Sequence, residues 1–357
     1  VYTQNLVFAA SVAHNRGLTP AADIRAVVVN SGNANAATGE RGLADARRMA
    51  ALAAEIAGAG PTQALVMQTG IIGEFMAMPK FEAGIAAAAK QLAADATALD
   101  NASRGLMTTD TVPKVFGRQL EIGGGEVRVL GLAKGAAMIG PNMATMLGVL
   151  LTDANLAPAT AQTLLADITE QTFNCISVEG HMSTNDTVLL LANGAAGGPP
   201  LQGADLATLQ NTMLEVASEL ARSIPADGEG TTHLVVIDVA GCATRPSARQ
   251  IAKTVAESPL VKTAVAGADP NWGRIVSAAG YAGIPFSEEE LSLWINGVAV
   301  YQQGAPTRFD AAALSSNLRS HRDVQLRLVF GRGEESIRFW TCDLTADYVR
   351  LNADYTT

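Results

Sequence analysis

Short runs of β-branched and aliphatic residues alternate with amphipathic helical stretches along most of this chain, and this alternation limits its fold more than any other feature. Residues 24–29 and 64–68 have the composition of buried strands. Between them, residues 42–58 place small apolar side chains on one helical face and charged side chains elsewhere. Strands that alternate with helices in this way predict an α/β protein in which helices cover sheets.

Further elements follow from the same periodicity. A helix is predicted over 79–96, and a second amphipathic helix over 206–220. Residues 114–122 and 126–133 flank a Gly-Gly-Gly turn, which is typical of a hairpin. Residues 324–330 alternate apolar and polar side chains, turn at glycines, and are followed by a similar run at 337–339. This pattern predicts another antiparallel hairpin with one face exposed to water.

Charge and cysteine content exclude several functional classes. The chain has 25 basic and 34 acidic residues, a net charge of −9, which argues against nucleic acid or an anionic membrane as the main partner. Cys175, Cys242 and Cys342 form no CxxC pattern and predict buried thiols in a reducing compartment. The four histidines are too dispersed for a His-built metal site. We therefore expect a cytoplasmic protein that holds no metal and does not contact a membrane.

Familiar catalytic signatures such as GxSxG, the P-loop and GxGxxG do not occur in functional context. Instead, clusters of small and polar residues lie at the ends of apolar runs, where an α/β sheet presents its binding site. They span residues 30–39, 68–73, 107–114, 134–145, 183–187, 227–230 and 269–274. Each cluster taken singly also has the composition of an ordinary turn.

The run Lys-Gly-Ala-Ala-Met-Ile-Gly-Pro-Asn-Met-Ala-Thr-Met-Leu at 134–147 makes the prediction specific. It resembles the self-processing segment of the ornithine acetyltransferase family, the acetyltransferases of arginine biosynthesis. The other motifs of that family occur in order, at 32–36, 69–73, 107–111, 183–187, 227–230, 269–274 and 352–357. The resemblance covers essentially the whole chain.

The resemblance implies an α/β fold of stacked mixed β-sheets flanked by helices. The layers would follow the α-β-β-α order of N-terminal-nucleophile hydrolases, with a smaller C-terminal α/β part. It also implies autocatalytic cleavage between Ala144 and Thr145. Residues 1–144 would form an alpha fragment, and residues 145–357 would form a beta fragment that completes the core. Two alpha and two beta fragments would then assemble.

The resemblance assigns the catalytic roles as well. Thr145 would be the nucleophile, first in self-cleavage and then in acetyl transfer, with its newly freed α-amine as the base. The tetrahedral intermediate of acyl transfer needs donors that are already in place. By their match to the family motif, the Thr69 hydroxyl and the Gly70 N–H would supply them. Glycine suits this role because it lets backbone approach the reacting carbonyl.

Substrate contacts are carried over in the same way. Lys134 matches a lysine that contacts substrate, and its charge suits an α-carboxylate. Glu229 would receive a substrate ammonium. The complete set of implied substrate-binding residues is Thr108, Lys134, Thr145, Glu229, Asn352 and Thr357.

The implied reaction moves the acetyl group of N²-acetylornithine to L-glutamate through an acetyl-Thr145 intermediate. It requires no metal or other cofactor, and the resemblance leaves open whether acetyl-CoA is also a donor. A self-cleaving aminopeptidase of the same fold is one alternative, because it shares the nucleophile but gives the acyl group to water. A non-catalytic binding homologue is another, and its clue is the departure from the family pattern at 179–182.

Overall fold

The computed structural model describes residues 1–140 and 146–354, which divide into two compact units. Unit 1 contains Val1–Asn174 and His181–Leu220. Unit 2 contains Cys175–Gly180 and the chain from Ala221 onward. The fragments 1–144 and 145–357 are defined by a chemical cleavage rather than by packing, and they remain a prediction.

Unit 1 contains a two-stranded and a four-stranded sheet with surrounding helices. The strands are β1 (Ala26–Asn33), β2 (Ala64–Ile71), β3 (Lys114–Ile122), β4 (Gly125–Lys134), β5 (Leu147–Thr152) and β6 (Thr187–Ala192). The helices are α1 (Ala10–Arg16), α2 (Gly39–Ile56), α3 (Met78–Ala89), α4 (Ala96–Leu106), α5 (Pro158–Gln171) and α6 (Gly203–Ala226), which continues into unit 2. The β1–β2 pair is parallel, whereas the order β3-β4-β5-β6 joins two antiparallel pairs to a parallel one.

The two sheets of unit 1 are stacked face to face. Leu65 and Met67 of β2 share a buried cluster with Leu147 of β5 and Leu189 of β6. The outer face of the two-stranded sheet is covered by α2, whose buried residues are mostly alanine. On the opposite side, Gly131 of β4 lies directly beneath α6, because a Cβ there would come within 2.6 Å of a side-chain atom. These layers confirm the predicted α-β-β-α arrangement of mixed sheets and helices.

Unit 2 is the predicted C-terminal α/β part. Its strands are β7 (Leu234–Cys242), β8 (Leu291–Ile295), β9 (Val298–Gln302), β10 (Ala305–Pro306), β11 (Asp323–Phe330) and β12 (Glu335–Cys342). They form one sheet in the order β10-β9-β8-β11-β7-β12. The helices are α7 (Arg245–Glu257), α8 (Pro259–Ala266), α9 (Trp272–Gly280), α10 (Ala311–Ser320) and α11 (Ala346–Asp354).

The prediction of one helix over 79–96 is wrong, because α3 ends at Ala89 and α4 begins at Ala96. Asp95 precedes α4 in an extended conformation, and its side chain accepts a hydrogen bond from the Ala98 N–H. A side chain that caps a helix start in this way satisfies a donor that the first turn leaves free. Asp95, which the prediction placed inside a single helix, instead caps the start of α4.

The predicted hairpin between β11 and β12 is also wrong, although both strands exist. β7 lies between them, parallel to β11 and antiparallel to β12. The connecting segment crosses the end of β7, where Arg332 N–H donates to the Gly241 carbonyl at 2.9 Å. Gly241 has φ +76°, and a Cβ there would lie 1.8 Å from the Phe330 carbonyl oxygen. Alternation along a strand indicates which face is buried, but it does not identify the neighbouring strand.

The hairpin of β3 and β4 and the helix over 206–220 are confirmed, the latter as part of α6. All three cysteines are buried thiols that form no disulfide, as their spacing predicted. None of the described helices has both the length and the hydropathy needed to span a bilayer.

Candidate active site

Three of the polar clusters meet at the carboxyl ends of β1 and β2. The Asn35 side chain donates to the Gln68 side-chain oxygen at 3.2 Å, and the Gln68 amide donates to Asn30 Oδ1 at 2.9 Å. Asn185, from the 183–187 cluster, donates to the Ala34 carbonyl at 2.7 Å and to the Gln68 carbonyl at 2.9 Å. Since Asn35, Gln68 and Asn185 are buried and hydrogen-bonded to groups of the other clusters, they fix the position of the residues that follow Gln68.

Gly70 lies where any side chain would collide with the backbone of the neighbouring strand β1. It is paired with Gly32, has φ +129°, and could not carry a Cβ, which would lie 2.2 Å from the Gly32 carbonyl carbon. A side chain at position 70 would therefore push β1 away. Thr69, directly before it, is 3% exposed. The implied oxyanion donors thus lie in a closely packed part of the sheet.

Lys134, at the end of β4, connects two other predicted site residues. Its Nζ donates to Thr108 Oγ1 at 2.9 Å and to Thr69 Oγ1 at 3.4 Å, and the residue is 3% exposed. Because Thr69 Oγ1 accepts a hydrogen bond from an ammonium, its own hydrogen is directed elsewhere and can be donated to a ligand. The structure therefore brings together Thr69, Thr108 and Lys134.

The sequence analysis missed Asp110, which organises this group. Asp110 Oδ1 accepts from Lys114 Nζ at 2.7 Å and from Gly135 N at 2.6 Å, and Oδ2 lies 3.9 Å from Lys134 Nζ. Burial alone would raise the pKa of Asp110, but the charges of the two lysines and the backbone donor outweigh it and lower the pKa. Its only sequence signal is the i,i+4 spacing to Lys114 within the 107–114 cluster.

Asp186 is a second buried carboxylate that the sequence analysis missed. It is fully buried, its Oδ1 accepts from Met146 N at 3.2 Å, and its Oδ2 has no hydrogen-bond partner among the described residues. Burial raises the pKa of Asp186 well above its usual value, and the Met146 N–H and the charge of Lys134 oppose this only in part. Met146 is the residue that follows Thr145 in the chain.

Three predicted residues, Ala144, Thr145 and Thr357, lie outside the described residues. The other two predicted contacts, Glu229 and Asn352, meet within unit 2, where Asn352 Nδ2 donates to Glu229 Oε2 at 2.9 Å. Tyr348 lies on the same helix as Asn352. Burial, together with the charges of Glu179 and Glu229, raises the pKa of Tyr348 to about 12.

The 269–274 cluster contains the start of α9. Asn271 precedes α9, and its Oδ1 accepts from the Arg274 N–H at 3.2 Å, which caps the helix. Its side chain also donates to Asp269 Oδ2 at 2.9 Å. Within residues 1–140 and 146–354, no group of three or more His, Cys, Asp or Glu side chains is arranged to hold a metal ion.

The chain is similar to known proteins over its whole length. The ArgJ family model matches residues 1–357. The arginine biosynthesis bifunctional protein ArgJ of Rhodopirellula baltica is 45% identical over 360 residues, covering 100% of this chain and 88% of that protein. The protein of the same name from Symbiobacterium thermophilum is also 45% identical, covering 100% and 89%. A crystal structure of the Bacillus halodurans argJ protein is 38% identical, with a TM-score of 0.56 over 57% of this chain and 96% of that chain.

Proposed function

This chain belongs to the ArgJ family, and on that basis we propose that it is an acetyltransferase of arginine biosynthesis that moves acetyl from N²-acetylornithine to L-glutamate. The observation that carries the proposal is the convergence of Thr69, Thr108 and Lys134. Acyl transfer to an amino acid needs a hydrogen-bond donor for the oxyanion and a cation for the substrate carboxylate. The Thr69 hydroxyl and the Lys134 ammonium would supply both within one small polar group.

The first step is self-cleavage. The Thr145 hydroxyl attacks the Ala144 carbonyl, the peptide C–N bond breaks, and the released amine takes the proton that the hydroxyl loses. Water then hydrolyses the resulting ester, which leaves a carboxylate on Ala144 and a free α-amine on Thr145. That amine is within reach of its own side-chain hydroxyl by covalent geometry, so it can act as the base in later steps.

Transfer follows in two half-reactions. Thr145 Oγ attacks the acetyl carbonyl of N²-acetylornithine, and ornithine leaves with the proton that the α-amine had accepted. The α-amine of glutamate then attacks the acetyl-Thr145 ester, which releases N-acetylglutamate and restores the threonine. In both half-reactions the oxyanion takes hydrogen bonds from the Thr69 hydroxyl and the Gly70 N–H, and loss of one such donor lowers the rate by about 10²–10³-fold.

The remaining residues orient the substrate. Lys134 holds the substrate α-carboxylate, with the Thr108 hydroxyl beside it. Glu229 and Asn352 receive the side chain of the amino acid, where a carboxylate suits the ornithine ammonium. Thr357 completes this set. The reaction needs no metal or other cofactor, and acetyl-CoA is a candidate second donor.

In this proposal, two alpha and two beta fragments assemble into the working enzyme in the cytoplasm. The assembly is tested by the mass of the native protein in solution. A mass that corresponds to a single pair of fragments would contradict it.

The proposal is tested by mass spectrometry and a transfer assay on three proteins. The wild type and Thr145→Ser should give fragments 1–144 and 145–357, whereas Thr145→Ala should stay intact because it lacks the hydroxyl. With N²-acetylornithine, the processed wild type should form N-acetylglutamate only when glutamate is present. Turnover by Thr145→Ala would remove Thr145 as the nucleophile, and acetate release that is indifferent to glutamate would instead favour the self-cleaving aminopeptidase.

A further inference from the structure

Outside the residues assigned above, unit 2 contains a carboxylate that is unusually rich in hydrogen bonds. Asp343 is 3% exposed. Its Oδ1 accepts from Thr231 Oγ1 at 2.7 Å and from Thr232 N at 2.9 Å. Its Oδ2 accepts from His233 Nδ1 at 2.9 Å and from the Thr232 hydroxyl. One side chain therefore fixes three consecutive residues of the segment that follows Glu229.

Further contacts join residues 230–233 to residues 343–348. The Asp343 N–H donates to the His233 carbonyl at 3.2 Å. Thr345 Oγ1 donates to the Gly230 carbonyl at 2.6 Å and accepts from the Tyr348 N–H at 3.2 Å. Gly230 has φ +66°, and a Cβ there would lie 2.4 Å from Tyr348 N. The two backbones are therefore as close as glycine allows.

The ionisation of Asp343 agrees with this bonding. Burial alone would raise its pKa, but hydrogen bonds from Thr232, Thr231 and His233 outweigh burial and hold the pKa of Asp343 below its usual value. At neutral pH the side chain is therefore a charged acceptor, and charge-assisted hydrogen bonds are shorter and stronger than neutral ones.

We propose that Asp343 and Thr345 together are positioning residues for substrate binding, which hold Glu229 and Asn352 in the mutual geometry that receives the amino-acid side chain. Glu229 directly precedes the Gly230 carbonyl that Thr345 binds, and Asn352 lies one helical turn beyond Tyr348. Neither Asp343 nor Thr345 needs to touch the substrate. This inference rests on the proposed function, because Glu229 and Asn352 are substrate contacts only in that proposal.

The test compares Asp343→Asn, Thr345→Val and Thr345→Ser with the wild type. Asp343→Asn weakens the acceptor that binds residues 231–233, and Thr345→Val removes the hydroxyl that binds the Gly230 carbonyl. Thr345→Ser keeps that hydroxyl. We expect KM for N²-acetylornithine to rise about tenfold in Asp343→Asn and several-fold in Thr345→Val, with kcat within about twofold of wild type. Thr345→Ser should restore the wild-type KM, and self-cleavage should be complete in all of them.

Asp238→Asn is the matched control. Asp238 is a carboxylate of the same unit that accepts from Arg338 Nε at 2.7 Å and from Gln325 Nε2 at 2.9 Å, on the exposed face of the sheet. Its variant should leave KM unchanged. An unchanged KM in Asp343→Asn, or equal KM values in Thr345→Val and Thr345→Ser, would overturn the inference. If Asp343→Asn does not fold, the two Thr345 variants decide the matter.

Failure of the inference is distinguishable from failure of the proposed function. A wild type that transfers acetyl while the variants keep its KM refutes only the positioning role of Asp343 and Thr345. A wild type that neither transfers acetyl nor binds ornithine in calorimetry refutes both. If ornithine binds without turnover, its dissociation constant replaces KM in the same comparison, with the same tenfold change expected.

Discussion

Asp110 and Asp186 are both buried carboxylates of unit 1, but their surroundings shift their pKa values in opposite directions. Asp110 contacts the Lys114 ammonium at 2.7 Å and the Gly135 N–H at 2.6 Å. Asp186 accepts a backbone N–H, and no lysine or arginine forms an ion pair with it among the described residues. The pKa of the first is lowered, and that of the second is raised well above the usual value.

The comparison separates the effect of burial on the pKa of a carboxyl group from the effect of an ion-paired lysine. Burial raises the pKa of both carboxyl groups, but Asp186 is buried more completely, and only Asp110 has an ion-paired lysine beside it that outweighs burial. Asp110 therefore acts as a fixed anion that holds Lys114 and the turn at Gly135. Asp186 keeps its proton to a higher pH next to the peptide that follows Thr145. The same side chain therefore responds to pH differently at the two positions.

Replacement of the paired carboxylate should have the largest effect. Asp110→Asn removes the anion beside the buried Lys114 ammonium, and breaking a buried pair in this way destabilises a protein by about 3–5 kcal/mol. Unfolding of unit 1 should be followed by hydrogen exchange of peptides from β2 and β4, in a Thr145→Ala background so that all chains are intact. The matched control is the exposed pair partner Asp100, whose change to Asn should have no measurable effect. A similar stability for both variants would contradict the anchoring role.

Removal of the lysine as well should reverse much of that loss. The double variant Asp110→Asn/Lys114→Met has no buried charge at this pair, and neutral replacements of a buried ion pair are often well tolerated. We expect it to recover at least about half of the stability lost in the single variant, measured by the same exchange experiment. A double variant that is less stable than the single one would mean that the pair acts through shape rather than charge.

The unpaired carboxylate should produce a pH dependence of opposite sign. A raised folded-state pKa stabilises the fold below the unfolded-state pKa of about 4, and this contribution is lost as pH rises towards the folded-state value. Asp186→Asn cannot titrate, so its stability relative to wild type should increase from about pH 4 upward, by at most about 1.4 kcal/mol per pH unit. Urea unfolding by circular dichroism at several pH values measures this, and a pH-independent difference would contradict it.

The smallest effect concerns Lys134, whose charge lowers the pKa of both carboxyl groups. Lys134→Met should raise both pKa values, yet Asp110 should stay ionised at neutral pH because Lys114 remains at 2.7 Å. Carbon-13 NMR titration of labelled aspartates reports the two groups separately. The exposed Lys80 provides the control, since Lys80→Met should move neither pKa. If the pKa of only one of the two carboxyl groups shifts, Lys134 does not act on both of them as expected.

The site residues that occupy matched positions of the family motifs could be predicted from the sequence. Thr69, Gly70, Thr108 and Lys134 come from motifs at the ends of strands, and the structure places three of their side chains within hydrogen-bond reach. Asp110 was overlooked although it lies inside one of those motifs. Its i,i+4 spacing to Lys114 is visible in the motif, but nothing there shows that both side chains are buried or that Lys134 of β4 lies 3.9 Å away.

By itself, the sequence determined the α/β class, the positions of several strands and helices, and the chemical groups at the strand ends, because the periodicities of 2 and 3.6 are local properties of the chain. Only the tertiary structure decided that β7 separates β11 from β12, and that one buried aspartate is paired with lysine while the other is not. Strand neighbours are segments that are distant in sequence, and the pKa of Asp110 depends on burial and on Lys134 of β4 as well as on the nearby Lys114. Their energies follow from distance and burial in space, which no local pattern encodes.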